Sequence, residues 1–273
     1  MKHYELIRRA IEEDLPQGDV TTESLALPPR LGTARLIAKQ NLTLSGSTLF
    51  EETILFLEPS ARLQWHFRDG DEVLQGQTIC SLLGNLIEIL KAERVALNFL
   101  MHLSGIATLT RKYTKLTEGS RTKILDTRKT LPGYRELEKL AVLHGGGENH
   151  RKNLSEAVLI KDNHIALCGG LTEAVERVRL HCDLPITVEV NTLEQVKEAV
   201  LLKVNRILLD NFDLKTLPEA LSLIPPSIET EVSGNMTLEK IPQLVKLRVN
   251  YISVGAITHS APAADISLLF DWN

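Results

Sequence analysis

The chain has 273 residues, enough for one large barrel or for a barrel with a smaller companion domain. Its 43% hydrophobic and 24% charged content is ordinary for a globular protein, and no stretch is apolar enough to span a bilayer. A formal net charge of −4 without any long basic run argues against nucleic-acid and anionic-membrane binding, so a local cluster of cations points to a small anionic ligand.

The opening, Met1-Lys2-His3-Tyr4-Glu5, leads into a charged helix and lacks the apolar core of a signal peptide. Leu6, Ile7, Ala10 and Ile11 give that helix one apolar face, and Asp14-Leu15-Pro16-Gln17-Gly18-Asp19 stops it. Strand-like runs follow at Ala34 to Lys39 and Ala61 to Phe67, on either side of a helical segment near Phe50 to Leu57. In the run from Asp69 to Gln77, the Asp-Gly pair and the second glycine, Gly76, predict tight turns between short strands. Apolar residues at helical spacing (Leu86, Ile89, Leu90, Leu97, Leu100, Met101) predict a helix from Leu86 to His102 that bridges into a second part.

From Lys123 onward, short apolar strands alternate with amphipathic helices. The predicted strands are Lys123 to Leu125, Ala157 to Ile160, Ile186 to Val190, Arg206 to Leu209, Ile228 to Val232 and Tyr251 to Val254. Leu171, Ala174, Val175 and Val178 mark one intervening helix. Leu193, Val196, Ala199 and Val200 mark the next, which Thr192 and Gln195 open as a capping box. Repeated strand–helix units mean an α/β fold with a parallel sheet, rolled or open. Six strands fall short of an eight-unit barrel, so an incomplete barrel is expected, with a doubly wound sheet as the competitor. Cys80, Cys168 and Cys182 are few, far apart and odd in number, which predicts a reduced, cytoplasmic setting without disulfides or a cysteine metal site.

Loops after the strands of such a barrel share one face. The chain puts charge at four of those strand ends: Asp126-Thr127-Arg128-Lys129, His150-Arg151, Lys161-Asp162-Asn163-His164 and Leu209-Asp210-Asn211. Two further ends finish in small residues, Ser233-Gly234-Asn235 and Val254-Gly255-Ala256, whose amides can receive a phosphate. Each segment has an ordinary reading. Thr127-Arg128-Lys129 alone is a common surface pattern, and Gly145-Gly146-Gly147 before Asn149-His150-Arg151 alone is a flexible loop. Glu189, between β-branched neighbours, and Asp210 alone would be structural ion pairs, since a bare buried carboxylate is costly. With Lys129 and Lys161 they make a charged barrel mouth the better account. The expected ligands are a phosphosugar and an acidic partner, with the two separated carboxylates either holding Mg²⁺ through phosphate oxygens or steadying a developing cation.

The ordered set of motifs closely resembles quinolinate phosphoribosyltransferase, the carboxylating nicotinate-nucleotide pyrophosphorylase family of NAD synthesis. The matching segments begin with Glu13-Asp14-Leu15, Gly18-Asp19-Val20-Thr21-Thr22, Glu93-Arg94 with Leu97-Asn98, and Ser104-Gly105-Ile106-Ala107-Thr108. They continue through Asp126 to Thr130 with Pro132-Gly133, Gly145 to Gly147 with Asn149-His150-Arg151, and Lys161 to His164. They end with Glu189-Val190, Leu209-Asp210-Asn211, Ser233 to Asn235, and Ser253 to Ala256 with Thr258-His259-Ser260. Three positions depart from the family pattern, where Pro16, Asn153 and Asn235 stand in place of usual glycines. Asn235 falls in the phosphate loop and is expected to reshape it slightly.

The resemblance implies an N-terminal α/β sandwich domain over residues 1–105 and an incomplete α/β barrel over 106–265. It also implies a tail, 266–273, that returns to the first domain. It implies transfer of phosphoribose from phosphoribosyl pyrophosphate to the quinolinate nitrogen, with loss of the 2-carboxylate and Mg²⁺ accompanying the sugar. Arg94, Arg128, Arg151 and Lys161 correspond to the cations around the dicarboxylate, with His150 and Thr127 nearby. Lys129 corresponds to the neutraliser of the leaving pyrophosphate. Glu189 and Asp210 correspond to the carboxylates that steady the ribose cation and organise the metal, and Ser233 to Asn235 with Val254 to Ala256 correspond to the 5′-phosphate cradle. Catalysis is thereby expected from Lys129, Lys161, Glu189 and Asp210. The family's homodimers or dimer-based hexamers share an arginine across the interface, here Arg94.

Three rivals remain at this level. The related molybdenum-operon proteins share the architecture, but the set Arg94, Arg128, His150, Arg151 and Lys161 favours the dicarboxylate enzyme. Residues 61 to 90 resemble the turns of a lipoyl or biotin carrier yet contain no lysine to modify. A metabolite-binding protein without catalysis is disfavoured by the presence of every charged position.

Overall fold

The computed structural model describes residues 3–271. In chain order the elements are α1 (Tyr4–Asp14), α2 (Val20–Ser24), β1 (Leu31–Ala38), β2 (Leu42–Thr43), α3 (Ser47–Leu57), β3 (Arg62–Trp65), β4 (Glu72–Val73), β5 (Thr78–Asn85) and α4 (Leu86–Lys115). Then come β6 (Lys123–Leu125), α5 (Arg135–His144), β7 (Val158–Ile160), α6 (Asp162–Cys168), α7 (Leu171–His181), β8 (Ile186–Val190), α8 (Leu193–Leu201) and β9 (Arg206–Asp210). The chain closes with α9 (Leu217–Ser222), β10 (Glu229–Ser233), α10 (Ile241–Lys246), β11 (Tyr251–Ser253), α11 (Ala256–His259) and β12 (Ile266–Phe270). Two compact units divide the chain. The first holds the residues up to Arg111, Leu140–Gly146 and the chain from Ala261; the second holds Lys112–Lys139 and Gly147–Ser260.

In the first unit a four-stranded antiparallel sheet has the order β12-β1-β5-β3. Strand alternation puts Ala34, Leu36 and Ala38 of β1 on the buried face, where they join Phe50 and Ile54 of α3 and Leu86, Ile89, Ala96 and Leu100 of α4 in one core. Sheet on one side and helices on the other make an α/β sandwich. The last strand, β12, pairs antiparallel with β1, Leu36 opposite Leu268. The helix predicted to end at His102 runs on to Lys115, because Ile106 and Ala107 prolong the apolar face and neither glycine nor proline intervenes after Gly105. The turn prediction around Asp69 to Gln77 holds, with Gly70 and Gly76 at positive φ on either side of β4.

In the second unit six parallel strands take the order β6-β11-β10-β9-β8-β7. Strands β7 to β11 are laid down in one direction and β6 returns beside β11. A doubly wound sheet would instead reverse its order at a switch point. This is the cyclic order of a barrel, open between its first and second strands. Past β6, Glu148 forms a single parallel bridge with Leu125, so residues leading to His150 extend the β6 edge. The helix caps follow local chemistry: Thr192 accepts from Gln195 N, while the Gln195 side chain accepts from Asn191 N and not from Thr192 as a full capping box requires.

Candidate active site

The C-terminal ends of β6 to β11 surround a cavity of about 850 Å³ in the second unit. Strand β6 delivers Thr127, Arg128 and Lys129, and the extended segment after it delivers His150 and Arg151. Lys161 directly follows β7, Glu189 is the second-last residue of β8 and Asp210 ends β9. Strands β10 and β11 end in the two small-residue loops, Ser233-Gly234-Asn235 and Val254-Gly255-Ala256. Every site residue expected from sequence except Arg94 lines this one cavity. Arg94 lies on α4, in the first unit, with an exposed side chain.

Charge inside the cavity is arranged unevenly. Arg128 and Arg151 both line it, and burial, together with the Arg128 charge, pushes Arg151 below the usual guanidinium range. Its Nη1 donates to Ala157 O at 2.8 Å, whereas its buried Nε meets no acceptor. That is a side able to take anions. Bordering it, Lys161 Nζ donates to Glu189 Oε2 at 2.7 Å. Asp210 accepts from Ser233 Oγ at 2.6 Å and from Asn211 Nδ2 at 2.7 Å, so neighbouring strand ends fix its plane.

The phosphate-type loops are backbone devices. Gly234 sits at φ +102°, and a Cβ there would lie 2.2 Å from Asn211 Oδ1, so only glycine fits. Asn235 also has positive φ, 45°, and asparagine is among the few non-glycine residues that tolerate it. The departure from glycine therefore keeps the loop's backbone conformation. Thr258 Oγ1 donates to Lys129 O at 2.8 Å and ties the Lys129 loop to the short helix after β11.

Glu231, Ser253 and His259, to which the sequence assigned no site role, also line the cavity. Glu231 is fully buried on its floor. It accepts from Ser253 Oγ, pairs with Arg206 Nη1 at 3.2 Å and lies 3.5 Å from His150 Nε2. Burial pushes its carboxyl up, but His150, Ser253 and Arg206 more than offset this and hold it below the ordinary value. The local signal was weak, since Glu231 stands in Glu229-Thr230-Glu231-Val232-Ser233, a largely polar strand, whereas Glu189 lies between Val188 and Val190. His259 is one helical turn beyond Gly255, and a Cβ added at Gly255 would lie 3.2 Å from its ring.

Two family models cover most of the chain: the quinolinate phosphoribosyl transferase N-terminal domain over residues 19–104 and the C-terminal domain over 106–269. The chain belongs to the quinolinate phosphoribosyltransferase family. A probable carboxylating nicotinate-nucleotide pyrophosphorylase from Bacillus subtilis is 39% identical, across 98% of this chain and 94% of that protein. A decarboxylating quinolinate phosphoribosyltransferase of Nicotiana tabacum, described as mitochondrial, is 38% identical over 98% of this chain and 82% of its own. Among solved structures, the nicotinate-nucleotide pyrophosphorylase of Ehrlichia chaffeensis superposes with a TM-score of 0.94 at 37% identity, covering 98% of both chains. That of Francisella tularensis gives 0.93 at 38% identity, over 98% of this chain and 95% of that one. Among the described residues no helix is long and apolar enough to cross a membrane.

Proposed function

We propose that the chain is a decarboxylating quinolinate phosphoribosyltransferase, making nicotinate mononucleotide, CO₂ and pyrophosphate for NAD synthesis. The observation that carries this reading is the division of one cavity into an arginine side and a carboxylate side flanked by two amide-lined loops, in a member of this family. Quinolinate is a dianion, and guanidinium groups match carboxylates with paired N–H donors, so Arg128 and Arg151 are its natural partners. His150 and Lys161 border the same ligand. The 5′-phosphate rests on the amides of Ser233 to Asn235 and Val254 to Ala256.

The pyridine nitrogen attacks the ribose carbon bearing pyrophosphate, and that C–O bond breaks. Positive charge develops on the ribose ring, where Glu189 and Asp210 stabilise it. Lys129 neutralises the departing pyrophosphate. The new nitrogen substituent leaves the ring cationic, so the bond to the 2-carboxylate breaks with its electron pair held beside that cation, and a proton then takes its place.

The carboxylates of Glu189 and Asp210, on adjacent strands, offer hard oxygen donors that suit Mg²⁺ sharing its remaining positions with substrate oxygens and water. When bound there, Mg²⁺ supplies charge neutralisation at the phosphate oxygens. All three cysteines are free thiols, which supports a cytoplasmic setting. A homodimer or dimer-based hexamer completes the reading, with Arg94 reaching a second copy's cavity. The test is release of CO₂ and pyrophosphate in equal amounts from quinolinate, phosphoribosyl pyrophosphate and Mg²⁺. Pyrophosphate released without CO₂ would refute the decarboxylating reaction.

A further inference from the structure

Behind the arginine side lies a buried ion pair that is not among the residues lining the active-site cavity. Asp126, at the end of β6, is fully buried, and Lys139 of α5 is 2% exposed. Lys139 Nζ lies 2.5 Å from Asp126 Oδ1. Burial drives both toward neutrality, Asp126 upward and Lys139 downward, and the contact between them opposes the drive. Such a pair is a poor source of stability, because apolar side chains of the same volume would serve as well or better.

Its remaining bonds say what it holds. Asp126 Oδ1 accepts from His150 N at 2.8 Å, and Lys139 Nζ donates to His150 O at 2.9 Å. Both main-chain polar groups of one cavity residue are thus fastened to one ion pair. With its amide turned to suit its neighbours, Asn149 donates to Asp126 Oδ2 at 2.7 Å and to Lys139 O at 3.0 Å. The next residue is Arg151. Asp126 itself leads directly into Thr127-Arg128-Lys129. One carboxylate therefore joins the two chain segments that carry Arg128 and Arg151, whose like charges disfavour each other.

We infer that Asp126 and Lys139 are a positioning pair that fixes the separation of Arg128 and Arg151 and thereby fits the site to a dicarboxylate. This rests on the reading of those arginines as the quinolinate side of the cavity. Neither Asp126 nor Lys139 touches substrate. Loss of the pair misplaces the arginine arm and leaves the phosphate loops on β10 and β11 in position.

Two variants test this. Lys139→Met leaves Asp126 charged and unpaired, so it should lose stability as well as fit. Asp126→Ala/Lys139→Met removes both charges and both clamps, so it separates the two effects. In both, the KM for quinolinate should rise roughly tenfold or more, since small misplacements of binding groups are costly. The KM for phosphoribosyl pyrophosphate should stay at the wild-type value. Amide hydrogen exchange across Asn149 to Arg151, measured without substrate, should speed up in both. Wild-type quinolinate KM in the double variant, unchanged exchange, or a parallel rise of both KM values would overturn the assignment. The exchange measurement stands apart from activity, so a wild-type chain that fails to use quinolinate would contradict the functional reading without bearing on the clamp.

Discussion

Lys161 and Glu189 end adjacent strands and meet at 2.7 Å, a cation expected to face a carboxylate substrate already bound to a carboxylate of the protein. The pair stands on the border between the arginine side and the carboxylate side of the cavity. Glu189 thus has two tasks, orienting Lys161 and facing the ribose. Asp210, held by Ser233 and Asn211, has only the second.

Replacing Asp210 by Ala should lower kcat far more than it changes quinolinate affinity, because the charge it answers appears in the transition state and on the sugar. Glu189→Ala should lower kcat and also raise the quinolinate KM, since it releases Lys161. Steady-state kinetics with each substrate varied in turn checks both. Intact turnover with loss of quinolinate binding alone would assign the carboxylates wrongly.

The loop after β10 makes a stereochemical prediction. Asn235→Gly should leave activity unchanged, as glycine accepts the positive φ freely. Asn235→Val should destabilise the protein by roughly 1–2 kcal/mol, the cost of a left-handed backbone for a side chain with a crowded Cβ. Gly234→Ala should be worse, since strain and collision with Asn211 coincide. Urea unfolding and the KM for phosphoribosyl pyrophosphate report the two effects.

Glu231 predicts a pH dependence. Its folded carboxyl titrates below the ordinary value of 4.5, so its stabilising contribution is present above pH 4.5 and is lost as pH falls through the lower folded value. Asp126 is shifted the other way and is common to wild type and variant, so it cancels in the comparison. Glu231→Gln should therefore be less stable than wild type near neutrality, with the gap narrowing on acidification below pH 4.5. Parallel denaturation curves across that range would contradict the assignment.

Arg94 is assigned to a neighbouring copy, and mixing experiments can test that. Arg94→Ala and Lys161→Ala should each be inactive in quinolinate turnover. A mixed dimer that shares Arg94 across its interface has one site with both defects and one intact site. Mixing under subunit exchange should restore part of the activity, and verified heterodimers without recovery would place Arg94 in its own subunit.

The strand–helix alternation after Lys123 was legible because parallel strands such as β7 and β9 centre on short apolar runs, and in β9 the successive residues Ile207, Leu208 and Leu209 are all buried, one face after the other. The antiparallel strands β5 and β12 lack that signal. Thr78–Asn85 mixes glycine, serine and apolar residues, and Ile266–Phe270 becomes a strand only by pairing with β1, over 200 residues away. At the site, charges ending strands could be read because nothing local accounts for them. Lys139 could not, because on α5 it looks like any surface lysine until Asp126 and His150 are brought beside it by the fold.

The most direct test of the account compares quinolinate with nicotinate at saturating phosphoribosyl pyrophosphate and Mg²⁺. Nicotinate lacks the 2-carboxylate and would leave one of the facing arginines desolvated without a partner, a costly arrangement. Quinolinate should turn over with one CO₂ per pyrophosphate, and nicotinate should react orders of magnitude more slowly. Equal turnover of the two acids would contradict a cavity built around a dicarboxylate.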